Sequence, residues 1–206
     1  MLNARIAAVK GLSKRAGAST AWIAGGAFAL WLKERVNLGK IFLYTGTGAG
    51  KTTNAIGLAV RAVGHGLKVV IIQFMKGWRN TGEYLIAERL KPEYEIHLAG
   101  REGWVDLRNP SEEDRETARR GLSLAKEKLR EKPALLVLDE VALAAYIGLV
   151  PVDEVLKLLD EVPEETDVVL TGRYAPPELF NRADFVNLVV EAKSPREIYT
   201  KTGITH

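Results

Sequence analysis

The chain has 206 residues, no cysteine, and an apolar content near one half. That length suits one domain with a full core rather than two, and the lack of cysteine excludes disulfides, thiolate metal sites, iron–sulfur clusters and cysteine nucleophiles. The net charge of +3 is uneven: residues 1–39 hold six of the 29 Lys/Arg and one of the 26 Asp/Glu, so the remainder is two units negative and carries no whole-protein footprint for nucleic acid.

Residues 1–38 read as a basic and apolar extension, in the form of a helix, ahead of a main domain at 39–206. The apolar run "AWIAGGAFALWL" (21–32) is too short to span a bilayer, which takes about 20 residues, so no transmembrane segment is expected. With its basic flank it superficially resembles a signal peptide. An ATP-type loop follows directly, however, and points to the cytoplasm. A surface helix, a cover over a site or a dimer contact fits the run better, and Gly25-Gly26 weakens it as a membrane-surface helix.

From residue 40 onward, apolar runs alternate with helical patterns. "KIFLYT" (40–45) reads as a strand, 51–66 as a helix, 67–74 as a strand and 80–91 as a helix. "YEIHLA" (94–99) is a strand, followed by a long helix over 109–133 with Ser111 as N-cap and acids in its first turn. Strands at 134–140, 166–172 and 184–190 alternate with helices at 151–162, where Pro151 stands near the first position, and 176–183. Several strands are continuous apolar runs. The pattern predicts an α/β fold in three layers, with a mostly parallel sheet of about six strands covered on both faces.

Ligands in such sheets bind beyond the carboxyl ends of the strands. That rule gathers Gly46–Thr53, Gln73–Trp78, Ala99–Trp104, Asp139 with Glu140, and Thr171–Arg173 at one rim. The first of these lies in "YTGTGAGKTT" (44–53), a phosphate loop one residue short. Counting back from Lys51, the expected first glycine is Thr45, and Gly46 leaves only three residues before Gly50. Gly46, Gly48 and Gly50 let backbone amides curl around an anion at the start of a helix. Lys51 adds a cation and Thr52 a hydroxyl for Mg²⁺, so the domain is P-loop NTPase-like. A nucleoside triphosphate is expected; the reaction is not specified by the loop. "LLVLDE" places Asp139 and Glu140 at a strand end, where one or both face the metal held by Thr52, or Glu140 activates water as a hydrolytic base. Arg61, ten residues after Lys51, divides between a phosphate contact and a helix-surface role. Arg173, beside Gly172, reads as ligand-binding. His65 and His97 read as structural. Trp78 and Trp104, in glycine-containing loops at the rim, suit a large, partly apolar substrate.

Together with "RAVGHG", "VVIIQFMKG", "GLVPVDEVLKLL", "VVLTGRYAPPEL" and "KTGITH", these stretches resemble the ATP:corrinoid adenosyltransferases of the cob(I)yrinic acid a,c-diamide type, from about Gly39 to His206. That family's loop resembles the short form found here. The resemblance implies that ATP lies reversed relative to ordinary P-loop enzymes, and that a Co(I) corrinoid, cob(I)yrinic acid a,c-diamide or cob(I)alamin, attacks its 5′ carbon while triphosphate leaves. Cobalt(I) is itself the nucleophile, so the chain has to position two substrates and stabilise a departing polyanion. The roles implied are ATP binding by Gly46, Thr47, Gly48, Ala49, Gly50, Lys51, Thr52, Thr53, Arg61 and Arg173, and catalytic support from Lys51, Thr52 and Glu140. Mg²⁺ or Mn²⁺ would sit on Thr52, Glu140 and Asp139. Trp104, with Gln73, Phe74, Lys76 and Trp78, would form the corrinoid side, where Trp104 helps keep the cobalt free of its lower ligand. Implied partners are a reductase or flavodoxin-like electron donor, an acceptor enzyme, and a second copy in a cytoplasmic homodimer. Three positions depart from the family: Thr47 stands for a frequent Asn, Ala49 for a frequent Lys, and Glu102 for an aromatic two residues before Trp104. An ordinary P-loop ATPase or nucleotide kinase, and a non-catalytic ATP-binding module, are the rival readings.

Overall fold

The computed structural model describes residues 39–204 apart from 196 and 198. The expectations for the extension 1–38, and the last two residues of "KTGITH", lie outside the described residues. Gly39–His206 is one compact unit. Its elements are β1 (Ile41–Thr45), α1 (Lys51–Val63), β2 (Val69–Phe74), α2 (Gly82–Leu85), α3 (Ala87–Leu90), β3 (Tyr94–Ala99) and α4 (Glu112–Leu129). They continue with β4 (Leu135–Asp139), α5 (Val141–Tyr146), α6 (Val152–Asp160), β5 (Asp167–Thr171), α7 (Pro177–Arg182) and β6 (Phe185–Leu188). The strands form one sheet in the order β3-β2-β4-β5-β1-β6, and every pairing is parallel. The predicted α/β architecture is therefore the observed one.

Alternation along each strand divides the core into two layers. Val70, Ile72 and Phe74 of β2, with Leu136 and Leu138 of β4, meet Ala118 and Leu122 of α4, Leu158 of α6 and Leu179 of α7. Val69, Ile71, Leu135 and Val137 face the other way, against Ala55 and Ala59 of α1 and Ala87 of α3. Because both faces are covered, β2 and β4 stay apolar until their carboxyl ends. There the register sets Gln73 directly beside Asp139. Full burial of each large aliphatic side chain is worth about 1.5–3 kcal/mol, so the covered strands, not loop contacts, supply the stability that holds the rim in place.

Helix α4 starts as read from the sequence. The Ser111 hydroxyl accepts from the Asp114 amide, and Asp114 returns a bond to the Ser111 amide, which closes a capping box. Two expectations change, and one helix is added. The helix over 80–91 is two four-residue helices, α2 and α3. Helix α5 follows β4 directly; its first four residues are all buried, so no polar stripe marks it off from the strand. The last strand covers four residues rather than seven and is an exposed edge, with Phe185 stacked on Phe42 at 4.8 Å.

Gly121 sets how closely α4 lies on the sheet. A Cβ there would stand 2.5 Å from the Ala99 Cβ and 3.1 Å from the Phe74 ring. Alanine improves helix propensity by about 1 kcal/mol, but overpacking a closed core costs about 1–3 kcal/mol, and Ala99 has no rotamer to give way. Gly121→Ala is therefore expected to lower the urea midpoint of unfolding. An unchanged or higher midpoint would show that α4 can lift from the sheet at no cost.

Candidate functional site

The phosphate loop is shaped by its neighbours as much as by its own residues. Gly46 (φ +107°) lies so close to the chain leaving β6 that a Cβ would come within 2.4 Å of the Val189 carbonyl oxygen. The Gly48 amide donates to that same oxygen at 2.9 Å. Gly50 (φ +102°) takes a left-handed turn into α1. Lys51 is nearly buried, and its ammonium folds back to donate to the Gly48 carbonyl at 2.6 Å, closing the loop on itself. Burial and the nearby Arg173 charge lower its pKa against the opposing pull of Glu140 and Asp139. Thr47 and Ala49 of the loop, and Thr53 in the first turn of α1, are exposed.

Asp139, at the end of β4, is the centre of the site and has no exposure to solvent. Its Oδ1 accepts from Thr52 at 2.8 Å and from Thr171, at the end of β5, at 2.7 Å. Its Oδ2 accepts from Lys76 at 2.7 Å and from Gln73 at 3.0 Å. Burial alone would raise its pKa; the charge and hydrogen bond of Lys76, with bonds from Thr171 and Thr52, outweigh that and hold the carboxyl below its ordinary range. Lys76 also donates to the Thr52 hydroxyl at 3.2 Å, so one ammonium bridges both groups. Gln73 donates in addition to Glu83 of α2 at 3.2 Å.

Glu140 differs from its neighbour. Its backbone is left-handed (φ +61°), and its amide donates to Thr171 at 2.9 Å. Its Oε2 is buried with no hydrogen-bond partner. Burial, and then the Asp139 charge, push its pKa up against the pull of Lys76, Lys51 and Arg173. Thr52, Asp139 and Glu140 thus offer hard oxygen donors, one of them orphaned and buried. That set fits a small divalent cation such as Mg²⁺, which takes one or two carboxylates together with phosphates and water. Arg173 is exposed just beyond β5, within electrostatic reach of Lys51 and Glu140.

At the far side of the rim, Trp78 and Trp104 meet edge to face with centroids 5.3 Å apart, and Trp104 is 85% exposed. Their loops interlock through glycine. A Cβ on Gly77 would come within 2.2 Å of the Arg101 carbonyl carbon, and one on Gly100 within 2.3 Å of the Lys76 amide nitrogen. Arg101 is itself tied to the α4 cap by a 2.8 Å bond to Asp114.

The expected groupings are only partly observed. Phe74, expected on the corrinoid side, is fully buried against Gly121; strand alternation turns its ring into the core. Gln73 is equally buried and holds Asp139 rather than facing solvent. Lys76 belongs with Thr52 and Asp139, not with the tryptophans. Arg61 is exposed in the last turn of an unbroken α1, about 15 Å from the loop at 1.5 Å per residue, and does not join the cluster. Glu83, Tyr146 and Tyr174 were not anticipated. The two tyrosine rings lie 5.3 Å apart beside Arg173, and Tyr174 has a left-handed backbone (φ +54°). Nothing in local sequence marks that pair, because one member follows β4 and the other follows β5.

A carboxyl with a raised folded pKa binds its proton more tightly in the folded chain than in the unfolded one. Its stabilising share is present below the unfolded pKa and is lost as pH rises through the folded value. Ionised Glu140 is therefore a burden on the ligand-free protein at neutral pH. Glu140→Gln should raise its melting temperature there, with a gain that shrinks as pH falls into the ordinary carboxylate range. Thermal melts across acid-to-neutral pH would test this, and an equal or lower melting temperature at neutral pH would contradict it.

Comparison with known proteins identifies the family of the chain. Residues 37–206 match the family profile described as ATP:corrinoid adenosyltransferase BtuR/CobO/CobP. Corrinoid adenosyltransferases of Pseudomonas aeruginosa and Escherichia coli are 35% and 36% identical to the chain. The first alignment covers 75% of this chain and 76% of the relative, the second 72% and 75%. Corrinoid adenosyltransferase CobA of Salmonella typhimurium is 34% identical over 72% of this chain and 75% of its own. Among solved structures, a KaiC-like protein of Pyrococcus horikoshii superposes with a TM-score of 0.52 at 17% identity, covering 73% of this chain and 72% of that one. The flagellar accessory protein FlaH of Methanocaldococcus jannaschii does so with 0.51 at 11% identity, covering 74% and 71%. These two likenesses concern the P-loop NTPase-like fold. On the sequence matches, the chain belongs to the ATP:corrinoid adenosyltransferase family.

Proposed function

We propose that the chain moves the 5′-deoxyadenosyl group of ATP onto a Co(I) corrinoid, cob(I)yrinic acid a,c-diamide or cob(I)alamin, and releases triphosphate. The cobalt–carbon bond forms with the electron pair of Co(I), and the bond between the 5′ carbon and oxygen breaks with its pair leaving on triphosphate. The observation that carries this reading is the placement, at one edge of the sheet, of a cationic phosphate cradle and an exposed tryptophan pair. One suits a polyanion; the other suits the flat, partly apolar face of a macrocycle.

The chain's own residues then have simple tasks. Apart from that of Gly48, which is bonded to Val189, the amides of Gly46–Thr53 bind phosphate oxygens, and Lys51 exchanges the Gly48 carbonyl for them. Arg173 adds a second cation where negative charge builds up on the leaving group. Thr52 and Glu140 are the groups to hold Mg²⁺ or Mn²⁺. Asp139 steadies Thr52, since its acceptor positions are already filled by Thr52, Thr171, Gln73 and Lys76. When bound, the cation neutralises phosphate charge. Reduction of Co(II) needs an electron, which we assign to a reductase or flavodoxin-like donor. The same reading carries a cytoplasmic homodimer that passes its product to an acceptor enzyme.

Glu140, buried and with a raised pKa, also suits a general base for ordinary ATP hydrolysis. One assay separates the two: anaerobic incubation with Mg-ATP and a chemically reduced corrinoid, read by cobalt absorbance and phosphate speciation. Adenosyl transfer turns the Co(I) spectrum into an alkyl-cobalt spectrum and yields triphosphate. ADP formed without corrinoid, with the cobalt spectrum unchanged, would refute it. Trp104→Ala is expected to lose up to about ten-fold when the reaction starts from Co(II), the scale of one aromatic contact, and less from pre-reduced Co(I). Equal losses would count against a role of Trp104 at the cobalt's lower face.

A further inference from the structure

Lys76 is in an unusual position for a lysine on a loop. Its ammonium bonds both Thr52, at 3.2 Å, and Asp139, at 2.7 Å. In the reading above these are the groups that hold or steady a divalent cation, and the inference rests on that reading of the nucleotide site. Asp139 takes four hydrogen bonds from this chain, and a carboxylate has about four acceptor positions. A metal approaching it must therefore displace a donor. Gln73 and Thr171 are fully buried and fixed on strands. Thr52 is bound to the start of α1. Lys76 alone of the four combines a long flexible stem with partial exposure, its side chain being 24% accessible.

The backbone around it cannot follow. Met75, immediately before it, has a left-handed φ of +63°, which aims the Lys76 side chain back towards β4 rather than along the strand. Gly77 and Gly100 then pin this segment against the β3 loop at distances no side chain could enter. Only the side chain is free to swing. Lys51 is also engaged before ligand arrives, on the Gly48 carbonyl. In the ligand-free site each lysine thus rests on an oxygen of the protein.

We propose that Lys76 is a tethered counter-cation of the nucleotide site. Without nucleotide its ammonium occupies the position between Thr52 and Asp139. When a divalent cation arrives together with nucleotide phosphates, the ammonium leaves those oxygens and turns onto the phosphates. A metal ion on its own gains too little to evict it, because the ammonium would give up its bonds to Asp139 and Thr52 with no phosphate to replace them. The metal and the nucleotide consequently enter as a pair, and Lys76 supplies a phosphate cation in a loop whose position 49 is Ala.

The test uses the full chain and two binding measurements that need no corrinoid. Binding of Mn²⁺ alone is followed by electron paramagnetic resonance, and binding of metal-free ATP by calorimetry in a chelator. Lys76→Met should bind Mn²⁺ alone about ten-fold more tightly, and metal-free ATP about ten-fold more weakly, the size of one charge-assisted hydrogen bond. The opposite signs matter, since a merely misfolded variant loses both. Lys76→Gln keeps a donor for Asp139 without the charge, and the same two shifts are expected of it if the methionine variant does not fold. Mn²⁺ affinity that is unchanged or lower, or metal-free ATP affinity that is unchanged, overturns the role of Lys76 while wild-type binding of Mg-ATP leaves the nucleotide site standing. A wild-type protein that binds no Mg-ATP overturns the nucleotide site, and the role of Lys76 with it.

Discussion

Everything at the rim depends on a single buried carboxylate. Asp139 has no contact with solvent, and a buried charge without partners is strongly destabilising, of the order of 3–5 kcal/mol when one partner of a pair is removed. Its partners come from four places in the chain: Thr52 in α1, Gln73 in β2, Lys76 just beyond β2, and Thr171 in β5. They converge only because β4 lies between β2 and β5 and because Gln73 is in register with Asp139. The sheet order and the site are therefore a single constraint. A strand slipped by one residue would turn Asp139 to the opposite layer and leave its charge without donors.

Glycine carries the second constraint, through close approach rather than flexibility. Gly46 and Gly48 let the phosphate loop lie on the chain leaving β6, and Gly77 and Gly100 let the β2 and β3 loops touch backbone to backbone. These contacts make the loops stiff, so the amides and side chains reach the ligand edge already in place. Preorganised donors cost no reorientation when charge develops on a leaving group, which is where such sites gain most of their effect. The interlock also joins the Lys76 segment to the loop bearing Trp104, which links the cationic and aromatic halves of the rim by rigid backbone.

The charge balance follows the same logic. Lys51, Lys76 and Arg173 stand near Asp139, Glu140 and Glu83, so three cations meet three carboxylates in the ligand-free cluster. Each lysine is bonded to a protein oxygen, whereas Glu140 keeps a buried oxygen unpaired. In the proposed reading a metal–nucleotide pair relieves that strain: phosphates would take up the cations, and the orphaned oxygen would gain a partner. Stability of the free protein is given up at Glu140 for readiness to bind, as is common where function requires an unsatisfied group.

Local pattern determined a good deal of this. Continuous apolar runs marked β2 and β4 as strands covered on both sides, the Ser111 cap marked the start of α4, and the glycine–lysine–threonine order marked the phosphate loop, because each signal is complete within a few residues. The family resemblance added the chemistry that no spacing could supply. What stayed hidden involved contacts between distant segments. Adjacent Gln73 and Phe74 look alike as strand-end residues, yet alternation sends one to Asp139 and the other into the core beneath α4. Lys76 sits two residues from Trp78 in the chain, but a left-handed Met75 directs it to the opposite half of the rim. Arg61 stands in the last turn of an unbroken α1, about 15 Å along the axis from its start, a placement that only the helix length reveals. The sequence by itself determined which elements form and which residues end them. Only the tertiary structure decided which of those end residues meet, because that depends on strand order and backbone handedness, and neither is encoded in the neighbours of any one residue.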